Sequence, residues 1–225
     1  MVLDADTIVW GDVLKLANFQ EFDFIVDKAC YDYSDADVSE FFFDIPGVER
    51  HFPKFKWSQS RSNYFCTGTF FAKRGVFSLE EYIEILDFTA ANPGIFKYGE
   101  MGFLNFMIFR AAQENRLRVQ NVDMQLLVPD FDQDLLRKRF PVESSGPAGD
   151  RTEATVIHWC GPKPTLSTSK VYSEPMNFCR RKCQKDVWNR TGLAADMSLQ
   201  VEDWQRSIYV YKNKFKKKFR QLAGN

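Results

Sequence analysis

The sequence predicts an α/β fold with a mixed sheet and C-terminal helices. Three observations carry this. Strand-like segments rich in β-branched and aromatic residues alternate with segments of helical periodicity. Beyond the turn at 161–164 the chain lacks strand signals and reads as helical. At 225 residues with 44% apolar and 27% charged side chains, the chain is long and apolar enough to bury a sizeable core.

In chain order, Met1–Leu3 reads as the end of a buried strand and Gly11–Ala17 as a short helical piece. Phe22–Asp27 alternates like a strand, with Phe22, Phe24 and Val26 on one face, although Ile25 interrupts the polar face. Tyr31–Trp57, aromatic and acidic with Pro46-Gly47 and Pro53, reads as long loops. Tyr64–Ala72 is a strand broken at Gly68. Ser78 and Glu81 form a capping box that opens a helix with Leu79, Tyr82, Ile83 and Leu86 as its apolar stripe, stopping before Asn92-Pro93-Gly94. A second helix starts near Glu100, with Met101, Leu104, Met107, Ile108 and Ala111 on one face. Leu117–Val122, Met124–Val128 and Ala154–Trp159 are strands, Pro141–Glu153 is a loop, and Gly161-Pro162-Lys163-Pro164 turns out of the last strand. The final helix places Trp204, Ile208, Tyr211, Phe215, Phe219 and Leu222 on one stripe opposite lysines. The expected division is residues 1–166 as the main domain and 167–225 as a helical extension.

Thirty basic residues balance thirty acidic ones, which removes any bulk electrostatic reason to bind nucleic acid. The distribution is uneven. Acids crowd the first fifty residues, and Lys212, Lys214, Lys216, Lys217, Lys218 and Arg220 crowd the end. The acidic head implies a cation site or simple solvation. For the basic tail the plainer expectation is a helix packing its aromatic stripe on the core; the other is peripheral contact with an anionic membrane. Five scattered cysteines make no disulfide framework, and Cys179 and Cys183, one helical turn apart without a neighbouring histidine, read as unremarkable helix residues. With no signal-peptide pattern and no long apolar run, the expected location is the cytoplasm, with or without membrane association. Asn189-Arg190-Thr191 matches a glycosylation sequon and, in that compartment, is accidental.

The candidate chemistry lies in Asp4-Ala5-Asp6 and His158. Alternate residues of an extended segment point the same way, so the two carboxylates can face one point. Hard oxygen ligands suit Mg²⁺ or Mn²⁺, and one imidazole added to them suits Mn²⁺. His158 ends a strand just before the turn that carries Lys163, a cation placed to meet a phosphate. His51 has no such surroundings and reads as a surface residue.

Four segments in order resemble glycosyltransferase family 8, the glycogenin-like and lipopolysaccharide sugar transferases. Val2-Leu3-Asp4-Ala5-Asp6-Thr7-Ile8-Val9 resembles the family's Asp-x-Asp segment. Tyr64–Ala72 is similar to its following strand. Tyr98-Gly99-Glu100-Met101-Gly102-Phe103-Leu104-Asn105 resembles its Asp-Gln-x-x-Leu-Asn helix start, with Glu100 and Met101 replacing Asp and Gln. Val156–Pro164 resembles its His-Phe-x-Gly-x-x-Lys-Pro-Trp element, one residue shorter between His158 and Lys163, with Thr165 in place of Trp.

The resemblance implies a partial GT-A-type nucleotide-diphospho-sugar transferase fold. It also implies retaining, metal-dependent transfer from a nucleotide-sugar donor to a glycan, lipid or protein acceptor. On it, Asp4, Asp6 and His158 bind Mn²⁺ or Mg²⁺, Lys163 pairs with the donor diphosphate and Gly161 lets the backbone approach. Thr67 and Gly68 lie at the sugar, and Glu100 takes the catalytic position near sugar and acceptor. In the family a nucleotide-binding half precedes Asp-x-Asp; here only Met1-Val2-Leu3 do. The expectations are therefore a truncated product, a partner chain completing the sheet, or a catalytically inactive subunit that binds metal, glycan or a partner.

Overall fold

The computed structural model describes residues 1–29, 32–150, 152–161, 163–167 and 170–222. Cys30, Pro162 and the side chains of Lys217, Lys218, Arg220 and Leu222 lie outside the described set. The protein is α/β with mixed sheets and C-terminal helices. It divides into two compact units, Met1–Leu127 with Arg151–His158, and Val128–Asp150 with Trp159–Asn225. The boundary read near residue 166 falls inside the second unit.

In the first unit, β1 (Val2–Leu3) leads through a turn into β2 (Thr7–Trp10), and a 3₁₀ turn at Val13–Leu16 precedes β3 (Phe24–Asp27). Two short helices follow, α1 (Asp35–Phe41) and α2 (Ile45–His51), where the sequence suggested loops. Their signals are local. Ser34 and Asp37 form a capping box, and Asp44 caps α2 by accepting from Gly47 N at 2.8 Å, with Pro46 in the first turn. Each helix is too short to show helical periodicity, which is why composition alone suggested loops.

Next come β4 (Thr69–Ala72), α3 (Leu79–Ala91), α4 (Glu100–Gln113), β5 (Val119–Val122) and β6 (Gln125–Leu127). The capping box at Ser78 and Glu81 forms as read. The stripe does not: Leu79, Ile83 and Leu86 are exposed, and Ile85 is the buried residue. The packed row is Tyr82, Ile85 and Phe88, because Tyr82 meets the Phe77 ring and Phe88 the Phe52 ring. The α4 face was read correctly, with Leu104, Met107, Ile108 and Ala111 buried.

The second unit opens with α5 (Gln133–Arg139), a helix absent from the sequence reading. The expected loop after it contains a small hairpin, β7 (Val142–Glu143) and β8 (Gly146–Pro147). The chain then returns to the first unit as β9 (Thr155–His158) and finishes in the second as α6 (Glu174–Trp188) and α7 (Gly192–Leu222).

Two sheets build the first unit. One has the order β1-β4-β3-β5, antiparallel except for β3 with β5; the other has the order β2-β9-β6. All four residues of β3 are buried because both faces are covered. Phe24 and Val26 join a large aromatic cluster with Phe42, Phe43, Tyr64 and Phe106. Ile25 packs on the other side with Val13, Phe71, Met124 and Val156. Ile25 therefore breaks the alternation as a second buried face, not as a flaw in the strand.

In the second unit, Trp159 stacks on Tyr172, whose hydroxyl donates to Phe140 O at 2.5 Å. Ala195 and Leu199 of α7 are buried, and Arg180 of α6 pairs with Asp203 of α7 at 2.8 Å. The aromatic stripe expected to pack on the core is exposed. Trp204, Tyr211, Phe215 and Phe219 retain 66%, 74%, 71% and 65% of their surface. Cys179 and Cys183 are free thiols on exposed positions of α6. Among the described residues no helix is long and apolar enough to cross a membrane.

Candidate metal centre

The chain crosses between the two sheets at Asp4-Ala5-Asp6. Leu3 pairs with Thr69 in one sheet, and Thr7 pairs with His158 in the other. Asp4 N donates to Gly68 O at 2.9 Å, and Thr7 Oγ1 donates back to Asp4 O at 2.7 Å. The two carboxylates thus converge through a turn, whereas the sequence suggested an extended run. Either geometry reaches one point; the turn does so while aiming both acids at the end of β9.

His158 completes the group. One ligand atom from each of Asp4, Asp6 and His158 lies within 4.8 Å of the other two. His158 Nε2 is 3.4 Å from Asp6 Oδ1 and 3.7 Å from Asp4 Oδ2. Adjacent ligands on a six-coordinate ion with bonds of ~2.1 Å stand about 3 Å apart, so small side-chain adjustments bring all three onto one cation. The imidazole is 4% exposed, Asp6 18% and Asp4 46%, so the site opens on the Asp4 side.

The charge state of the imidazole decides what the arrangement can hold. Burial pushes the His158 pKa below its ordinary value, and the Asp4 carboxylate only partly opposes this. That direction favours the neutral ring. Its Nδ1 is 3.0 Å from Gln125 Oε1. A neutral ring beside two carboxylates is a nitrogen donor joined to two anionic oxygen donors, and a divalent cation satisfies all three.

Other buried groups shape the site without signals the sequence reading used. Gly68 lies against the ring: a Cβ there would stand 2.4 Å from His158 Cε1. Asn105 of α4, fully buried, accepts from Phe65 N at 3.0 Å and donates to Phe65 O at 2.9 Å. It thereby clamps the segment just before Cys66, Thr67 and Gly68. Asp27, 4% exposed at the end of β3, accepts from Met124 N at 3.1 Å and Gln125 N at 2.8 Å through one oxygen. Only spatial proximity reveals these roles, since Asp27 and Gln125 are far apart in the chain.

The remaining sequence-nominated residues are placed as follows. Thr67 is buried, beside Cys66, whose thiol burial pushes up in pKa. Gly68 packs against the histidine. Glu100 is exposed in the first turn of α4, after Gly99 at φ 62°. Gly161 and Lys163 belong to the second unit. There Gly161 has φ +81° with open space around a notional Cβ, and Lys163 Nζ donates to Trp159 O at 2.8 Å. His51 is exposed and edges the Phe88 ring.

Compared with protein-family models, curated proteins and solved structures, the chain finds no match in any of the three.

Proposed function

We propose that the protein is a GT-A-type, retaining glycosyltransferase that uses a nucleotide-diphosphate sugar. The observation that carries the reading is the convergence of Asp4, Asp6 and buried His158 on one point. The donor set suits Mn²⁺, with Mg²⁺ the second choice because imidazole is a poorer ligand for it. A cation bound there supplies Lewis-acid stabilisation of charge on a departing nucleoside diphosphate. Asp4 and Asp6 hold the cation from the turn, and His158 holds it from the strand end. On this reading Glu100 acts near the sugar and acceptor.

The first test is Mn²⁺ titration followed by electron paramagnetic resonance. Asp6→Ala and His158→Ala are each expected to weaken binding at least tenfold. Wild-type affinity in both variants overturns the site. A panel of nucleotide sugars then measures release of the nucleoside diphosphate. Release that depends on Mn²⁺ supports the enzyme. Mn²⁺ binding without release favours a second reading, a noncatalytic subunit. One feature speaks for that alternative: β1 is an outer strand of its sheet with Val2 and Leu3 exposed, an edge that a strand from another polypeptide fits.

The reading extends to α7 as a peripheral membrane contact. Its exposed aromatic stripe is flanked by Lys212, Lys214 and Lys216, and no acidic residue follows Asp203. A second copy of this helix would set lysine against lysine, whereas an anionic lipid surface matches both the charge and the apolar stripe. Each Lys near such a surface contributes ~1 kcal/mol.

A further inference from the structure

We infer that Gln125 is a positioning residue for the metal centre: it fixes which nitrogen of His158 carries the proton, and Asp27 fixes Gln125. The inference rests on the metal reading of the triad and deepens it.

The orientation of the Gln125 amide comes first. Its Nε2 donates to Cys66 O at 3.3 Å, so its Oε1 is the atom facing His158 Nδ1 at 3.0 Å. An amide oxygen only accepts, so Nδ1 must carry the hydrogen. The other nearby atom, Cys66 Sγ, is 3.9 Å away and is a weak donor at best. In the neutral ring Nε2 is then the bare lone pair, and it is the nitrogen that faces Asp4 and Asp6. The opposite tautomer would place its hydrogen toward oxygens at 3.4 and 3.7 Å while leaving Nδ1 against an acceptor. Distance and polarity favour the same assignment.

The amide is itself anchored. Gln125 lies on β6, parallel to β9, with Leu127 in register with His158. The buried Asp27 carboxylate accepts from the Gln125 and Met124 backbone N–H groups, pinning the start of β6 at the end of β3. Asp27 touches none of the three ligands and acts through Gln125. The result is a buried relay from carboxylate to backbone, from amide to imidazole, with the ligand lone pair at its end. Partners of this kind, one step removed from the ion, commonly govern metal affinity by 10- to 100-fold.

The test uses the ¹⁵N shifts of the His158 ring in the metal-free protein together with Mn²⁺ affinity. The chain has two histidines, so His51→Gln assigns the signals. The wild type is expected to show a protonated Nδ1 and a bare Nε2. Gln125→Leu, similar in size but unable to accept, is expected to lose that preference and bind Mn²⁺ 10- to 100-fold more weakly. Gln125→Glu keeps an acceptor and is expected to retain both the tautomer and the affinity. A wild-type ring protonated on Nε2 overturns the inference. So does a folded Gln125→Leu with wild-type tautomer and affinity, since packing alone then explains the residue. If Gln125→Leu does not fold, the wild-type spectrum and Gln125→Glu decide. The expected tautomer in a wild type that binds no Mn²⁺ supports the proton assignment and overturns the metal reading separately.

Discussion

An added methyl at Gly68 would stand 2.4 Å from His158 Cε1, 2.6 Å from Nδ1 and 2.9 Å from Gln125 Oε1. Gly68→Ala must therefore displace the ring or the strand. It is expected to weaken Mn²⁺ binding at least tenfold and to destabilise the fold by roughly 1–3 kcal/mol, read by titration and chemical denaturation. Asp27 makes a different prediction. Burial, reinforced by Asp123, raises its carboxyl from 3.8 to about 6, against the hydrogen bonds from Gln125 and Met124. Between about pH 4 and 6 the folded state binds more protons than the unfolded one. Its contribution therefore falls as pH rises through that window, by about 3 kcal/mol in all. Asp27→Asn keeps an oxygen acceptor and removes the charge. It is expected to be more stable than wild type at pH 7 and indistinguishable at pH 4 in urea melts. Asp4, Asp6 and His158 were legible in the sequence because their residue types announce metal chemistry. Asp27, Gln125 and Asn105 were not, because a buried carboxylate or amide looks like any other until its partners are known.

At the scale of elements, legibility followed length and caps. The α4 face was readable over fourteen residues, and the Ser78 capping box marked the start of α3. The seven-residue α1 and α2 were missed, although Ser34, Asp37 and Asp44 were in plain view. Those acids belonged to an acidic stretch read as a cation site or solvation; Asp37 and Asp44 instead cap helices. Ser34→Ala is expected to cost about 1 kcal/mol in thermal or urea unfolding. The exposed stripe of α7 overturned the packing expectation: among its described residues the buried ones are Ala195, Leu199 and Asp203, off that stripe. Sedimentation with vesicles tests what that stripe meets. Binding is expected to vesicles containing phosphatidylserine and not to neutral ones, with Phe215→Ser/Phe219→Ser losing most of it. Binding to neither overturns the membrane contact, and equal binding to neutral vesicles overturns the role of the lysines in it.

For the whole molecule, the α/β class was readable from the mixture of strand and helix signals. The division into units was not. The second unit begins at Val128, gives way to β9 and resumes at Trp159, and a sequence read linearly has no sign of that interleaving. A ligand bound only by the folded state stabilises it by ~2.7 kcal/mol at a hundred times its dissociation constant. Mn²⁺ is accordingly expected to raise the melting temperature of the wild type and not of Asp6→Ala.

The turn at Asp4–Asp6 has one more implication. It is a short covalent bridge between two separately hydrogen-bonded ladders, and its acids reach across to the last residue of β9. A cation seated among them would act as a rivet between the ladders, and its departure would free that seam to breathe. Amide exchange at the Thr7–Trp10 and Thr155–His158 backbones should then register loading of the ion as slowed opening.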